Sequence, residues 1–114
     1  MKARTMPERL GYILLTLIAS EEEGGYASVC PELGIASQGE TAEEALSNLK
    51  DAALVFLNAI EQLEQRERVF KERHITIHLH EPAGANVRLQ QPSQVASYFI
   101  APIARHRSAL VGAS

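Results

Sequence analysis

Three histidines are the residues best spaced to bind a metal ion. His74, His78 and His80 are all at even-numbered positions. In an extended segment their side chains would therefore lie on one face of a strand. Two imidazoles at i and i+2 can share a metal ion, but a zinc site needs a third or fourth ligand and groups that orient them. Glu81, the nearest acid, would point to the opposite face. The pattern therefore favours a solvent-facing strand surface over a metal centre.

Cys30 is the residue that could act as a nucleophile. Such a cysteine needs a neighbouring histidine and an orienting acid, and the sequence places neither at a recognisable spacing. Because Cys30 is the single cysteine of the chain, it cannot form an internal disulfide. This usage fits a reducing compartment, and we expect a cytoplasmic protein.

The acidic residues are not arranged for metal-dependent hydrolysis. A two-metal site needs several carboxylates brought together around the ions, whereas the acids here fall in predicted loops and on a predicted helix. Gly24 and Gly25 do not form a phosphate-binding loop, and no Walker or dinucleotide fingerprint occurs. We therefore expect a protein that is not an enzyme and that holds no cofactor and no metal.

Charge is uneven along the 114 residues, whose net charge is −3. Residues 13–60 carry seven glutamates and Asp51 against Lys50 alone, a net charge of −7. Such a segment does not suit nucleic acid as its partner, and it suits a basic protein. The alternative is an acidic surface that serves only solubility. With 46% hydrophobic and 22% charged residues, the composition is typical of a globular domain.

The hydrophobic pattern predicts three strands in the first part of the chain. Tyr12–Ala19 is continuously apolar, which indicates a central strand. Ser20–Gly25 has the glutamates and glycines of a hairpin loop. Tyr26–Cys30 is a second strand, ended by Pro31 because proline has no N–H. Ile35–Gln38 is a short third strand.

A long amphipathic helix follows the third strand. Thr41 and Glu44 form a capping-box pattern at its start, and its length predicts an end or a bend near Gln65. Leu54 and Leu57 lie off the main apolar stripe. Either the C-terminal segment covers them, or they contact a second subunit in a homodimer. The stripe itself comprises Ala42, Ala45, Leu46, Leu49, Ala52, Ala53, Phe56, Ile60 and Leu63.

The last third of the chain is predicted in less detail. Ile75–Glu81 alternates between apolar and polar residues, which predicts a strand with Ile75, Ile77 and Leu79 facing the core. Residues 87–90 could form a strand paired with it. Residues 94–103 could be a strand or a helix, although Pro102 argues against a long helix.

These elements predict an α+β fold with one central domain. Residues 1–11 form a polar lead-in, residues 12–80 form a β-β-β-α-β domain, and residues 81–114 form a C-terminal extension with one or two possible strands.

The order of these elements and of several short motifs resembles the HicB-like antitoxin family over residues 12–80. The motifs are Gly25-Tyr26, Pro31-Glu32-Leu33, Gly39-Glu40-Thr41, and Glu43-Glu44-Ala45 leading to Leu49 and Ala53. The resemblance implies a partial ribonuclease-H-like fold without working catalytic acids. It also implies that the protein binds and neutralises a small basic RNA-cleaving toxin of the HicA type, which has a double-stranded-RNA-binding-like fold.

Exposure and charge suggest which residues such a partner would contact, namely Tyr26, Glu32 and the loop glutamates Glu21, Glu22 and Glu23.

Many full antitoxins of this family also carry a ribbon-helix-helix or helix-turn-helix module that represses their own operon. Residues 81–114 show no clear version of either module. DNA binding by an autorepressor is therefore an alternative, as is a solitary HicB-like protein with another protein-binding role.

Overall fold

The computed structural model describes residues 9–82 and 88–104, which form one antiparallel sheet and two helices. The strands lie in the order β3-β2-β1-β5-β4, and the longer helix packs on one face of the sheet. This arrangement confirms the α+β class and the predicted order of three strands and a helix. The elements are β1 (Arg9–Glu22), β2 (Gly25–Cys30), β3 (Ile35–Gly39), α1 (Ala42–Gln62), α2 (Arg66–Glu72), β4 (Leu89–Gln91) and β5 (Gln94–Ala104).

β1 is the central strand, as its apolar sequence predicts. It pairs with β2 on one edge and with β5 along most of the other. Its length exceeds the prediction at both ends: it begins at Arg9, inside the segment assigned to the lead-in, and it continues to Glu22, inside the predicted loop. The hairpin turn is therefore only Glu23 and Gly24, and Glu22 is paired with Gly25.

The core lies between the sheet and α1. From β1 it takes the buried side chains of Ile13, Leu15, Leu17 and Ala19, whereas the alternate residues of the same strand are only half-buried. β1 is thus apolar on both faces, but only one face is covered by the described part of the chain. From α1 the core takes Ala45, Leu46, Leu49, Ala53 and Ile60.

The start of α1 has a modified capping box. Thr41 Oγ1 accepts a hydrogen bond from the Glu44 N–H at 3.1 Å, as predicted. The Glu44 carboxylate accepts from the N–H of Glu40 at 2.6 Å rather than from that of Thr41. Both bonds place a side-chain oxygen on a backbone N–H near the helix start, where acceptors stabilise a helix. The predicted bend is confirmed, since α1 ends at Gln62 and α2 begins at Arg66.

The prediction of a strand over Ile75–Glu81 is wrong. This segment makes one isolated bridge, in which His78 and Tyr12 exchange backbone hydrogen bonds of 2.7 Å. The bridge lies on the β2 edge of β1, beyond the end of β2, whereas the long strand that pairs with β1 on its other edge is β5, formed by a later part of the chain. Of the residues expected to face the core, Ile75 and Ile77 pack against it, but Leu79 is exposed.

The C-terminal part of the described chain completes the sheet. Residues 94–103, left open between strand and helix, lie in strand β5. β4 pairs with β5 and not with the segment Ile75–His80. Pro102 is tolerated in β5 because it lies opposite Tyr12, whose backbone N–H and C=O are bonded to His78 instead. Residues 1–8, 83–87 and 105–114 lie outside the described residues.

Gly11 allows the segment around His78 to approach β1. A Cβ atom at this position would lie 2.4 Å from the His78 carbonyl oxygen and 2.7 Å from Ile77. We therefore expect Gly11→Ala to lower the free energy of unfolding by about 1–3 kcal/mol, because backbone must shift to relieve the contact. Urea unfolding followed by circular dichroism measures this change. Ser20→Ala in the same strand is the control, with an expected change within about 0.5 kcal/mol; equal effects would contradict the prediction.

Candidate partner-binding groove

A groove of about 520 Å³ lies between the tip of the β1–β2 hairpin, the end of β3 and the first turns of α1. It is open to solvent and lined mainly by polar groups. The residues that line it are Glu22, Glu23, Gly24, Gly25, Tyr26, Ser37, Gln38, Gly39, Glu40, Glu44 and Asn48.

Close packing between β3 and α1 forms one wall of this groove. A Cβ atom on Gly39 would lie 2.6 Å from the backbone nitrogen of Ala45 and 2.9 Å from Glu44, so only glycine lets the helix start this close to the strand. The buried Ser28 hydroxyl donates to the Ala45 carbonyl at 2.9 Å, and Asn48 Nδ2 donates to the Gln38 carbonyl at 2.8 Å. These contacts hold the first turns of α1 against β2 and β3.

The groove is acidic. Four glutamates line it, two from the hairpin (Glu22 and Glu23) and two from the start of α1 (Glu40 and Glu44), and no lysine, arginine or histidine is among its lining residues. Carboxylates gathered in a concave surface create a negative potential that attracts cationic groups and speeds their association. The groove is therefore suited to binding basic side chains.

The structure brings together most of the residues predicted to contact a partner. Glu22, Glu23 and Tyr26 line the groove, and Glu21 is exposed beside it, paired in register with Tyr26. Sequence reasoning missed Glu40 and Glu44 as groove residues. The capping-box pattern explains Glu44 without reference to a groove, and only the packing of α1 on β3 brings Glu40 and Glu44 into the same groove as the hairpin glutamates.

Glu32 lies apart from the groove and makes internal hydrogen bonds. Its carboxylate accepts from the Thr16 N–H at 2.9 Å, from Thr16 Oγ1 at 2.7 Å and from Cys30 Sγ at 3.6 Å. β2 ends at Cys30, before it could pair with Thr16, so the Glu32 side chain replaces the missing strand as an acceptor. Its predicted contact with a partner stays a prediction.

Cys30 is fully buried on the core side of β2. Burial raises the pKa of its thiol from an ordinary value of 9.0 to about 11; the backbone near Leu33 opposes this shift, and the negative charge of Glu32 adds to it. The thiol is therefore protonated at neutral pH. A nucleophilic thiolate is not formed at this position under those conditions.

The predicted histidine face also changes in the structure. His74, His78 and His80 are exposed, but they lie in an irregular segment rather than on a strand. Within residues 9–82 and 88–104, no group of three or more histidine, cysteine, aspartate or glutamate side chains is placed to hold a metal ion.

Leu54 and Leu57 line a second, smaller groove of about 310 Å³ between α1, α2 and the end of β5. Leu57 packs against the core, while Leu54 is 45% exposed. The end of β5 thus lies beside Leu54 and Leu57 and covers them only in part. Their predicted contact with a second subunit stays a prediction.

The contacts of Glu32 predict a structural effect of its removal. Glu32→Ala leaves the Thr16 N–H without its acceptor, and we expect it to lower the free energy of unfolding by about 1–3 kcal/mol. Glu32→Gln keeps a carbonyl oxygen and should lower it less. Urea unfolding of both variants beside the wild type measures the difference, and a Glu32→Ala protein as stable as the wild type would contradict this role.

The environment of Cys30 predicts low reactivity. At pH 8 a thiol pKa near 11 instead of 9.0 lowers the thiolate fraction about 100-fold, so alkylation by iodoacetamide should be slowed at least to that extent. The rate should rise as the pH approaches 11. Mass spectrometry of native protein beside urea-unfolded protein gives both rates, and rapid native labelling at pH 8 would show that the thiol is neither buried nor protonated.

Comparison with known proteins gives one partial relationship. The chain is 38% identical over 50 residues to the UPF0150 protein ssr1765 of Synechocystis sp. (strain ATCC 27184 / PCC 6803 / Kazusa). The aligned region covers 43% of this chain and 63% of that protein. No family model matches the chain, and no solved structure matches it significantly. In the described residues, neither helix has the length and apolar character needed to span a membrane.

Proposed function

We propose that this protein is a non-catalytic, cytoplasmic antitoxin-type protein of the HicB-like kind. Its acidic groove binds a small basic RNA-cleaving toxin of the HicA type and thereby neutralises it. The groove between the β1–β2 hairpin and the start of α1, with its four glutamates, is the observation that carries this proposal.

The groove has the chemistry that a basic partner requires. Its glutamates come from two different elements, so a partner that inserts lysine or arginine side chains would contact the hairpin and the helix together. Tyr26, half-buried in the same groove, adds an aromatic ring against which an arginine or lysine can stack. Opposite charges of this kind favour the encounter and the orientation of the two proteins more than the final affinity.

The sequence similarity supports the same assignment at a coarser level. The chain shares 38% identity with a UPF0150 protein over 50 residues, and the UPF0150 group is related to HicB-like proteins. The motifs that resemble the HicB-like family include Gly25-Tyr26 and Gly39-Glu40-Thr41, which here form the hairpin and the start of α1 beside the groove. The toxin partner is proposed from the acidic groove and not from this similarity.

The chemistry of the chain supports a binding role rather than catalysis. The buried Cys30 has a thiol pKa raised to about 11. The Glu32 carboxylate is occupied by hydrogen bonds that complete the sheet. The groove brings four glutamates together at an open surface, where carboxylates are suited to binding cations.

A charge-reversal experiment tests the proposed interface. The partner to test is a small basic reading frame found beside the gene of this chain, whose product is co-expressed so that its toxicity reports neutralisation. We expect Glu22→Lys/Glu23→Lys to weaken binding at least about tenfold by calorimetry, because the groove loses attraction for basic groups. The same variant should fail to restore growth.

The matched control is Glu67→Lys/Glu81→Lys, which changes the net charge equally at exposed positions away from the groove. It should bind and restore growth like the wild type. Equal weakening by both variants would show that only overall charge matters and would contradict the groove as the site. Purification from the host with no small basic protein bound, and no toxin-like reading frame beside the gene, would contradict the toxin partner.

A further inference from the structure

An apolar groove at the end of α1 lies where the chain leaves the sheet. This groove, of about 310 Å³, is formed by α1, α2 and the last residues of β5. Its walls include Leu54, Leu57, Phe70 and Pro102, and Ala104, the last residue of β5, lines it as well. The segment that follows β5 therefore starts in the groove itself.

A buried arginine in this groove has N–H donors that the described residues do not satisfy. The Arg66 side chain is 5% exposed, and its Nη1 atom donates to Glu61 Oε2 and to the Ala104 carbonyl, both at 2.7 Å. A guanidinium group has five N–H donors, of which two belong to Nη1. Among the residues that the structure describes, no acceptor is bonded to Nε or Nη2 of Arg66. Because unsatisfied buried donors are destabilising, further acceptors beside Arg66 would stabilise this part of the molecule.

The end of α1 favours a positively charged neighbour. The carbonyl groups at the C-terminus of a helix are stabilised by cations, but the last turn of α1 has no basic residue. Glu61 lies in that turn and Glu64 follows it, so two carboxylates are present there instead. The Glu61 side chain is 34% exposed even though it bonds Arg66. A segment that carries positive charge would therefore be attracted to this end of the helix.

Residues 105–111, which we call the strap, have the composition that fits the groove. Their sequence is RHRSALV, with two arginines first, three apolar residues last and no acid. An extended chain advances about 3.3 Å per residue, so Leu110 can lie up to about 20 Å from Ala104. Along α1, residues 54 and 61 are about 10 Å apart at 1.5 Å per residue. The strap is thus long enough to run from Ala104 to Leu54.

We propose that the strap binds in this groove and closes it. Its backbone carbonyl groups accept hydrogen bonds from Arg66, as the Ala104 carbonyl already does. Its arginines lie against the carboxylates at the end of α1, and its apolar residues cover Leu54 and Leu57. A partner or a second subunit can then contact this surface of α1 only when the strap is released. The acidic groove lies at the opposite end of α1 and stays open.

Alkylation of a thiol introduced at position 54 measures whether the strap covers the groove. We expect Leu54→Cys to react with iodoacetamide at least about tenfold faster when the strap also carries Leu110→Asp/Val111→Asp, because charged side chains do not stay buried against apolar groups. Val55→Cys is the matched control. Val55 is 69% exposed at the next position of the same helix, so its replacement should react equally fast with either strap. Mass spectrometry separates these sites from the buried Cys30.

Trypsin cleavage after the two strap arginines gives a second measurement, in which the wild-type strap should be cut at least about tenfold more slowly than the Leu110→Asp/Val111→Asp strap. Equal alkylation of Leu54→Cys with both straps overturns the proposal. Protection that disappears on dilution also overturns it, since a second copy rather than the strap would then cover the groove. Circular dichroism checks that each variant is folded, and Ala109→Asp replaces the double substitution if that chain is not.

Discussion

The structure depends on the need to hydrogen-bond both edges of β1. This strand runs through the centre of the sheet, and buried backbone N–H and C=O groups that lack partners are strongly destabilising. β5 satisfies one edge along most of its length. The other edge is satisfied in turn by β2, by the carboxylate of Glu32 at Thr16, and by the backbone of His78 at Tyr12. Three unrelated parts of the chain are therefore fixed in place by one strand.

The position of the acidic groove follows from this arrangement. β2 pairs with the last residues of β1, so the hairpin tip with Glu22 and Glu23 extends from the end of the sheet. β3 then runs antiparallel to β2 and places Gly39 opposite Tyr26, at the hairpin end of the sheet. Because Gly39 has no side chain, α1 can begin directly against the strand. Glutamates that are about 20 residues apart in the chain are thus gathered by strand pairing, and no hydrogen bond between them is needed.

Sequence reasoning succeeded where the controlling interactions are local. Pro31 ends β2 and Thr41 caps α1 through contacts within a few residues, and such contacts can be read from the chain. It failed for Ile75–Glu81 because alternation shows that a segment is amphipathic but does not show which strand pairs with β1. The internal role of Glu32 and the membership of Glu40 in the groove depend in the same way on register, which is set by contacts between distant parts of the chain.

The groove depends on two elements that are held in place by different contacts. Two of its glutamates belong to the β1–β2 hairpin and two to the start of α1. The pairing of β2 with β1 holds the hairpin, and the hydrogen bonds of Ser28 and Asn48 hold the start of the helix. A substitution that loosens either element therefore separates the carboxylates without removing any of them. Loss of partner binding by such a variant has to be interpreted together with its free energy of unfolding, whereas charge reversal at the hairpin changes the potential of the groove directly.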